Sequence, residues 1–475
     1  MPPRRKILVV AGNLSHLDQF VIHGFFKELS EEAEVYLTLP EQELETDRWR
    51  ELKEILGDVF MDVSGYRYLD SARKAGYQIG AASMFRNRNK SVGYKTRFRI
   101  KFFIDLNVPI HWVSLSGFGA IFNHRKVIAL RLVKEIPSVI RGIRICFPFW
   151  SRIAEQRVNR NCSLANIIGQ LRPDTTVILM QRQAGFVISA IAGCGYFQIP
   201  SVLIPVKWDN ATSKSPLIRV PTRMLVFSNQ IKGVCSHLHG MNPETIIAVG
   251  NVEVDIRNGL VSQSRTQNIA LIGSSAGLNL SVPWLTCVTK TISNCESLDL
   301  SSTKVIWRPY PTAEEANFEF MRKFLESNNF LELDQDILNN RSHRASGRTF
   351  AEVRAAYERY CQLLQDSILV VSECTSAILD ARARGVPVIV PALRRDAVIG
   401  SQWHMLNGFE HLQGLVTTGG VFIAEDEVEL ERLLTDFLTN PRRIPPDNTG
   451  ENIFVDHRSY ARRVLDVVED VLSGR

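Results

Sequence analysis

The sequence predicts an α/β protein in which helices cover parallel β-sheets. Short apolar runs alternate with segments of helical length, and this alternation is typical of a parallel sheet. Residues 6–11 are expected to form a buried strand, residues 17–29 have helical spacing, and residues 34–39 form the next predicted strand. The chain therefore opens with a β-α-β unit.

The same pattern continues in two sets of strands. The first set is predicted at residues 176–179, 201–206, 224–227 and 246–249. The second set is predicted at residues 268–272, 304–307, 367–371, 386–390 and 420–424.

A polar stretch without periodicity, residues 258–267, is the best candidate for a linker between two α/β halves. Near the other end, prolines between residues 441 and 446 end a helix, and residues 457–472 form a last helix. We therefore predict an N-terminal domain over residues 1–257, a C-terminal domain over residues 258–445, and a final segment, 446–475, whose helix returns to the first domain.

Composition narrows the function classes. The 475 residues are 45% hydrophobic and 22% charged, which is ordinary for a globular enzyme. A net charge of +6 fits anionic small molecules or a membrane surface better than a dedicated nucleic-acid binder. The eight cysteines form no CxxC pair, so zinc and redox motifs are absent and a reducing cytoplasm is expected. The N-terminal apolar run is too short for a signal-peptide core, and no run has the sustained apolarity of a membrane span.

The most informative segment runs from residue 368 to residue 390. An apolar strand leads into the polar turn Ser-Glu-Cys-Thr-Ser at residues 372–376, and a helical segment leaves that turn. Free backbone N–H groups and the positive dipole at a helix N-terminus suit a phosphate or a carboxylate. Ser and Thr are also favoured helix caps, so an ordinary capped helix is the alternative.

A second unusual segment lies between Lys90 and Phe103, where Lys and Arg alternate with Tyr and Phe. This pattern fits peripheral contact with a membrane surface or a phosphate-bearing acceptor. An edge strand with one wet face is the alternative. Nucleic acid has no supporting motif and is not expected as a partner.

Several segments, in order between about residues 200 and 435, resemble the bacterial surface-polysaccharide glycosyltransferases of the GT-B fold. The sequence Lys-Trp-Asp-Asn-Ala-Thr-Ser-Lys at 207–214 resembles the WDN-x-TSK signature of that family. The segments at 240–255, 305–311, 372–388 and 419–421 are similar to further motifs of the family, in the same order. Capsule Kdo transferases and glycerophosphotransferases that use CDP-glycerol are more remote relatives.

The resemblance implies two Rossmann-like domains facing across a cleft. The N-terminal domain would hold a glycan or lipid-linked acceptor, and the C-terminal domain a nucleotide-sugar donor. The implied activity is transfer of a sugar in surface-polysaccharide synthesis, in the cytoplasm or at the inner face of the membrane. Neither a cofactor nor a metal is implied, since the nucleotide sugar is a substrate. Asp334-Gln335-Asp336 has the spacing of a metal-binding DxD motif but lies in a polar stretch without strong strand character.

The expected donor-side residues follow predicted strands of the second half. They are Gly273, Ser274, Ser275, Arg308, Tyr310, Glu373, Thr375 and Ser376. The turn at 273–275 would let a ligand approach the backbone, or is a plain tight turn. Arg308 is the first candidate to stabilise the leaving phosphate, since a guanidinium suits anionic oxygens.

The remaining donor-side roles are less specific. Thr375 and Ser376 would bind the donor phosphates. Glu373 would hold a ribose or sugar hydroxyl, or is a solvated glutamate near a helix N-terminus. Tyr310 stands where relatives often carry His, and its hydroxyl can still donate a hydrogen bond.

The acceptor side needs a base for the attacking hydroxyl. The candidates are His16 and Asp18, which follow the first strand, and Asp209 from the tryptophan-containing motif. His16 could equally be a surface residue of a loop. Beside Asp209, the expected acceptor-side residues are Trp208, Asn210 and Lys214. Trp208 is a candidate stacking wall, Asp209-Asn210 could be only a structural turn, and Lys214 could face phosphate.

Other functions remain open on the same fold. Nucleotide-sugar 2-epimerisation or glycerophosphate transfer would keep the donor and change the chemistry. A non-catalytic nucleotide-binding or scaffold protein is the third alternative. Tyr310, Cys374 and the Asp380-Ala381 pair, where the family motif has Glu-Ala, depart from the family pattern and keep that alternative open.

Overall fold

The computed structural model describes residues 4–62, 65–67, 163–180, 185–211, 217, 219–254, 268–274, 278–296, 298, 302–310, 315–334, 336, 348–394, 401–445, 456 and 458–473. The segment between Lys90 and Phe103, the linker at 258–267, Lys214 and Ser275 lie outside the described residues.

The described strands are mostly short and buried. They are β1 (Arg5–Ala11), β2 (Ala33–Thr38), β3 (Phe60–Asp62), β4 (Thr175–Met180), β5 (Ser201–Pro205), β6 (Arg223–Val226), β7 (Ile246–Ala248), β8 (Asn268–Ile272), β9 (Val305–Arg308), β10 (Leu331–Leu333), β11 (Ser367–Ser372), β12 (Val388–Pro391) and β13 (Val421–Ala424).

Helices connect these strands. They are α1 (Asp18–Ile22), α2 (Phe25–Glu32), α3 (Glu41–Leu44), α4 (Asp47–Leu56), α5 (Ser163–Leu171), α6 (Gly185–Phe197), α7 (Asn229–His239), α8 (Leu278–Ser293), α9 (Glu315–Glu326), α10 (Phe350–Asp366), α11 (Ala377–Ala383), α12 (Gln402–Gly408), α13 (Glu410–Gln413), α14 (Glu427–Thr439) and α15 (Tyr460–Leu472).

The chain divides into two compact units. The first unit comprises Met1–Val226, Ile231–Val249 and Tyr460–Arg475, and the second comprises Phe227–Gln230 and Gly250–Ser459. Each unit is built on one parallel sheet, so the predicted α/β fold with two Rossmann-like sheets is confirmed.

Among the described residues, the sheet of the first unit has seven strands in the order β3-β2-β1-β4-β5-β6-β7. Every neighbouring pair in it is parallel. All six residues of β4 are buried, as are the last five of β1. Strands covered on both faces are continuous apolar runs rather than alternating ones, which is why the sequence revealed them.

The sheet of the second unit has six described strands in the order β10-β9-β8-β11-β12-β13, again all parallel. Its core is formed by apolar side chains of the central strands and of α8 and α14. Among its buried members are Ile269, Trp284, Trp307, Val371 and Leu434. This core fixes where the central strands end, and hence where the polar turns after them begin.

Three details differ from the sequence-based expectation. The helix expected over residues 17–29 is broken into α1 and α2 at Gly24, whose φ of 70° is left-handed and favours glycine. The edge strands β3 and β10 were not predicted. Each has only three residues, one of them acidic, so neither forms an apolar run in the sequence.

The final helix returns to the first unit, as expected from the sequence. α15 contacts α2, and the ring of Tyr460 lies 5.9 Å from the ring of Phe25. The side chain of Arg463 donates from Nε to the carbonyl oxygen of Val249 at 2.7 Å. Among the described residues, no helix has both the length and the apolar character needed to cross a membrane.

Candidate functional site

Each sheet has one point where its strand order reverses. In the first unit it lies between β1 and β4, and in the second unit between β8 and β11. Open parallel sheets bind ligands outside the carboxyl ends of the strands at such a switch point. The candidate residues that follow β1, β8 and β11 therefore lie where this topology favours a site.

At the switch point of the second unit, β8 ends in the turn that carries Gly273 and Ser274. Gly273 donates its N–H to the carbonyl oxygen of Arg308 at 3.0 Å. A Cβ atom at position 273 would lie 3.3 Å from both Pro309 Cα and Tyr310 N. The turn after β8 and the turn after β9 thus approach closely, which requires a residue without a bulky side chain at 273.

Arg308 is the last residue of β9, and its guanidinium is held in place from two directions. Nη1 donates to Asp334 Oδ2 at 2.6 Å and to Asp336 Oδ2 at 3.4 Å. The guanidinium also lies over the ring of Tyr360, 5.0 Å from its centroid. Burial alone would lower the pKa of Arg308, but Asp334 and the other anionic neighbours outweigh it and raise that pKa. Arg308 is therefore a fixed, charged group, with 21% of its side chain exposed.

The surroundings of Asp334 and Asp336 differ from the sequence-based expectation. Both aspartates were placed in a stretch without strand character, whereas β10 ends at Leu333 directly before them. Asp336 also pairs with Arg359, so two arginines balance the two carboxylates. Among the described residues, no group of three or more His, Cys, Asp and Glu side chains is arranged to hold a metal ion.

Tyr360, which supports Arg308, was missed by the sequence reasoning. Its hydroxyl donates to Asp380 Oδ2 at 2.9 Å, and burial together with Asp380 raises its pKa well above the ordinary value. Asp380 stands where the family motif has Glu. It supports Arg308 indirectly, through the ring of Tyr360. A tyrosine on an amphipathic helix gives no sequence signal for such a role.

The turn after β11 carries Glu373, whose side chain has no exposed surface. Its carboxylate accepts hydrogen bonds from the N–H and hydroxyl of Ser274, the hydroxyl of Ser281 and Nε1 of Trp284. The expectation of a solvated glutamate is therefore wrong, because Glu373 is enclosed by donors.

Thr375 and Ser376, on the same turn, are half-buried. Thr375 Oγ1 accepts from the N–H of Ala377 at 3.3 Å and lies 3.3 Å from Ser372 Oγ. Ser376 makes no side-chain cap hydrogen bond to α11. Thr375 thus has the capping contact that was the alternative for this turn. Tyr310, after β9, is an exposed aromatic residue, with 53% of its surface accessible.

At the switch point of the first unit, His16 is buried, with 4% of its surface exposed. Its Nδ1 accepts from the N–H of Gly12 at 3.3 Å, and Asn13 accepts from the N–H of His16 at 3.1 Å. The alternative of a surface loop histidine is wrong. With Nδ1 as acceptor, a neutral imidazole carries its proton on Nε2.

Asp18 follows on α1 and is paired with Arg48, 2.5 Å from Nη2 to Oδ1. Burial raises the pKa of Asp18, and Arg48 and Lys207 offset this only in part. Asp18 is therefore a better proton acceptor than an ordinary aspartate.

The tryptophan-containing motif follows β5 of the same sheet. Trp208 and Asn210 are buried, at 5% and 1% exposure, and Asp209 is half-buried. The backbone N–H of Asn210 donates to the carbonyl oxygen of Lys207 at 3.0 Å, and its side-chain Nδ2 donates to the carbonyl oxygen of Met180 at 3.2 Å. Asp209 and Asn210 thus form part of a turn, which was the alternative role predicted from the sequence.

The histidine that supports this motif was also missed. His239, on α7, accepts from Leu217 N–H at Nδ1 (3.2 Å), and its Nε2 lies 2.6 Å from the carbonyl oxygen of Ala211. Burial lowers the pKa of His239 to about 4, so the imidazole is neutral at physiological pH. It connects positions 211 and 217, which are distant from it in sequence.

No protein-family model matches the chain, and no curated protein sequence does either. Solved structures do match over nearly the whole length. A Listeria monocytogenes protein assigned as a UDP-N-acetylglucosamine 2-epimerase is 11% identical, covers 99% of this chain and 97% of its own, and has a TM-score of 0.52. The UDP-GlcNAc 2-epimerase of Methanocaldococcus jannaschii is 11% identical over 98% of this chain and 99% of its own, with a TM-score of 0.50. At this identity the similarity shows the fold alone, which is GT-B-like as expected.

Proposed function

We propose that the protein is a glycosyltransferase that moves a sugar from a nucleotide-activated donor to a glycan or lipid-linked acceptor of surface-polysaccharide synthesis. The observation that carries the proposal is the donor edge, which we define as the turns after β8, β9 and β11. In a GT-B-like fold, this edge combines a fixed cation, an exposed aromatic ring and small polar residues at a switch point.

Arg308 is proposed to stabilise the leaving phosphate. Its described hydrogen bonds all come from Nη1, so among the described residues Nε and Nη2 are left for an anionic ligand. A guanidinium that is already fixed loses little side-chain entropy when it binds phosphate oxygens. Thr375 and Ser376 would add hydroxyl and N–H donors from the neighbouring turn.

Tyr310 is proposed to contact the base or the sugar of the donor. An exposed ring offers a flat apolar face and a hydroxyl that can donate. Gly273 and Ser274 form the adjacent turn, where a ligand could approach the backbone.

Asp18 is proposed as the base on the acceptor side. Its raised pKa favours proton acceptance, whereas Nδ1 of His16 already accepts from the N–H of Gly12. Asp209, from the same sequence motif as Trp208 and Lys214, is the rival proposal.

A second candidate is nucleotide-sugar 2-epimerisation. It is favoured by the matches at TM-scores of 0.50 and above, which are described as UDP-GlcNAc 2-epimerases. UDP-GlcNAc is for this reason the first ligand to test. An epimerase forms its product from the nucleotide sugar alone, whereas a glycosyltransferase releases the nucleotide only in proportion to the acceptor.

The test is a thermal-shift and calorimetric screen against UDP, CMP, CDP, GDP and their sugar conjugates. A ligand at 100 times its Kd stabilises the folded state by about 2.7 kcal/mol. We expect one nucleotide to raise the Tm, and Arg308→Gln to abolish most of that rise. Arg322→Gln, which removes an exposed arginine of α9, is the matched control and should keep it.

Two results would contradict the proposal. The first is no stabilisation by any nucleotide, as expected for a scaffold. The second is equal stabilisation of wild type and Arg308→Gln, which would remove Arg308 from the site. Product analysis with and without an acceptor then separates transfer from epimerisation.

A further inference from the structure

The carboxylate of Glu373 is a fully buried anion that is surrounded by donors. Ser274 N–H donates to Oε2 at 2.7 Å, and the Ser274 hydroxyl donates to the same oxygen. Oε1 accepts from the Ser281 hydroxyl and from Trp284 Nε1, the latter at 2.9 Å. A buried charge is stable only with such partners, and both of its oxygens are engaged.

These donors come from two separate elements. Ser274 belongs to the turn after β8, whereas Ser281 and Trp284 lie three residues apart on one face of α8. Glu373 itself begins the turn after β11, and its own N–H donates to the carbonyl of Ile272 at 3.0 Å. One side chain therefore joins the two strands of the switch point and the helix that covers them.

Gln402, at the start of α12, extends this network and is also buried. Its Oε1 accepts from the N–H of Cys374 at 2.7 Å, and its Nε2 donates to Ser274 Oγ at 3.3 Å. The turn after β8 and the turn after β11 are thus bonded to each other through Glu373 directly and through Gln402.

We infer that Glu373 is a positioning residue of the donor edge: it holds the Ser274 and Thr375 turns in their ligand-binding conformation and so sets nucleotide affinity without touching the nucleotide. This inference rests on the proposed function. It gives Glu373 a different role from the ribose or sugar contact that the sequence suggested, because the residue has no exposed surface and both carboxylate oxygens already accept hydrogen bonds from the protein.

The substitution Glu373→Gln tests the role with little change in volume. An amide replaces one acceptor oxygen by a donor, so at least one of the four donors would face another donor. Nucleotide Kd is measured by calorimetry well below the Tm, and amide hydrogen exchange is followed at Ser274 and Cys374 in the ligand-free protein. We expect Kd to rise at least tenfold. We also expect both amides to exchange faster in Glu373→Gln than in the wild type, with the amides of α14 as the internal reference.

Two further variants separate positioning from contact and from mere loss of stability. Ser281→Ala removes one donor that faces Glu373 from α8, and we expect it to weaken nucleotide binding several-fold. Leu434→Ala creates a void in the core of the same unit at α14 and is expected to leave Kd unchanged. If Glu373→Gln does not fold, Ser281→Ala and Trp284→Phe provide the same test.

Several outcomes would overturn the inference. A wild-type Kd in Glu373→Gln is one. Equal weakening in Leu434→Ala is another, since it would reduce the effect to stability. Unchanged binding in Ser281→Ala together with lost binding in Glu373→Gln would indicate direct contact. If the wild type binds no nucleotide, the proposed function fails, and the exchange data alone decide whether Glu373 holds the two turns.

Discussion

In each unit a buried side chain holds together segments that are distant in sequence, but the two side chains differ in their hydrogen-bonding chemistry. In the first unit, the neutral imidazole of His239 connects Ala211 and Leu217 in the region that follows β5. In the second unit, the carboxylate of Glu373 joins the turns at the switch point. A neutral ring offers one donor and one acceptor, whereas a carboxylate accepts from several donors at once. Both residues are buried, and both connect parts of the protein that are distant in sequence.

Exposure also differs between the two switch points. In the first unit His16 is buried and Asp18 is paired with Arg48. In the second unit Tyr310 is exposed, and Thr375 and Ser376 are half-buried. Both units have internal polar contacts, but the second also presents an exposed aromatic ring beside its switch point. This difference is why the donor is proposed to bind there.

The largest expected effect concerns the neutral histidine. The folded pKa of His239 is about 4, below the ordinary 6.5, so its contribution is fully present above pH 6.5 and is lost as the pH falls towards 4. This shift corresponds to roughly 3 kcal/mol of unfolding free energy. Urea unfolding at pH 7.5 and pH 4 should show that loss in the wild type and not in His239→Gln.

His237→Gln removes an exposed histidine from the same helix and is the matched control. If the unfolding free energies of the wild type and His239→Gln changed with pH in the same way, the assignment of a neutral, buried imidazole at position 239 would be contradicted.

A second test uses the glycines that follow the first strand of each sheet. At Gly12 a Cβ atom would lie 2.5 Å from a ring carbon of Phe186, so Gly12→Ala should cost about 2 kcal/mol. At Gly273 the nearest atoms are 3.3 Å away, and Gly273→Ala should cost less than about 1 kcal/mol while weakening nucleotide binding.

Urea unfolding and nucleotide calorimetry measure both effects. Gly195→Ala, on α6, is the control and should not destabilise, because beyond its own stretch of helix no atom of the described residues lies within 4 Å of the new methyl group. Equal costs at positions 12 and 273 would remove the difference between the two turns.

A smaller effect is expected at the exposed ring. Tyr310→Ala should weaken nucleotide binding about fivefold, since one aromatic contact is worth roughly 1 kcal/mol. The unfolding free energy should change by less than about 0.5 kcal/mol, because the side chain is largely exposed. Tyr196→Ala, which removes an exposed tyrosine of the first unit, is the control, and a matching loss of affinity there would exclude a specific contact.

Apolar runs were sufficient to predict the central strands and the edge strands β7 and β13, but not the edge strands β3 and β10. Buried strands such as β4 and β8 are short but nearly continuous apolar runs, so they were predicted to within one or two residues. The three-residue strands β3 and β10 each contain an acidic residue, whereas the equally short β7 is wholly apolar and was predicted. Without β10 the role of Asp334 could not be inferred. The break at Gly24 depends on a single backbone angle.

The sequence predicted where the candidate site residues lie in the fold, but not which side chains they hydrogen-bond. Strand ends followed by polar turns located Arg308, Glu373 and His16 correctly at the carboxyl edges of their sheets. The partners of Glu373 are about ninety residues away in sequence, at Ser281 and Trp284. No local pattern contains such a pairing, because it arises only when the core brings β8, β11 and α8 together.

The smallest expected effect concerns Asp18 and has the opposite sign to that of His239. Burial raises the pKa of Asp18 above its ordinary value, so its contribution to stability is fully present at low pH and is lost as the pH rises through the folded pKa. In a His239→Gln background, a protein with Asp18 should therefore gain stability relative to Asp18→Asn as the pH falls from 7 to 3.5. Urea midpoints across that range measure the difference. The reverse slope would mean that the ion pair with Arg48 outweighs burial, and Asp18 would then be a salt-bridge residue rather than the base of the acceptor side.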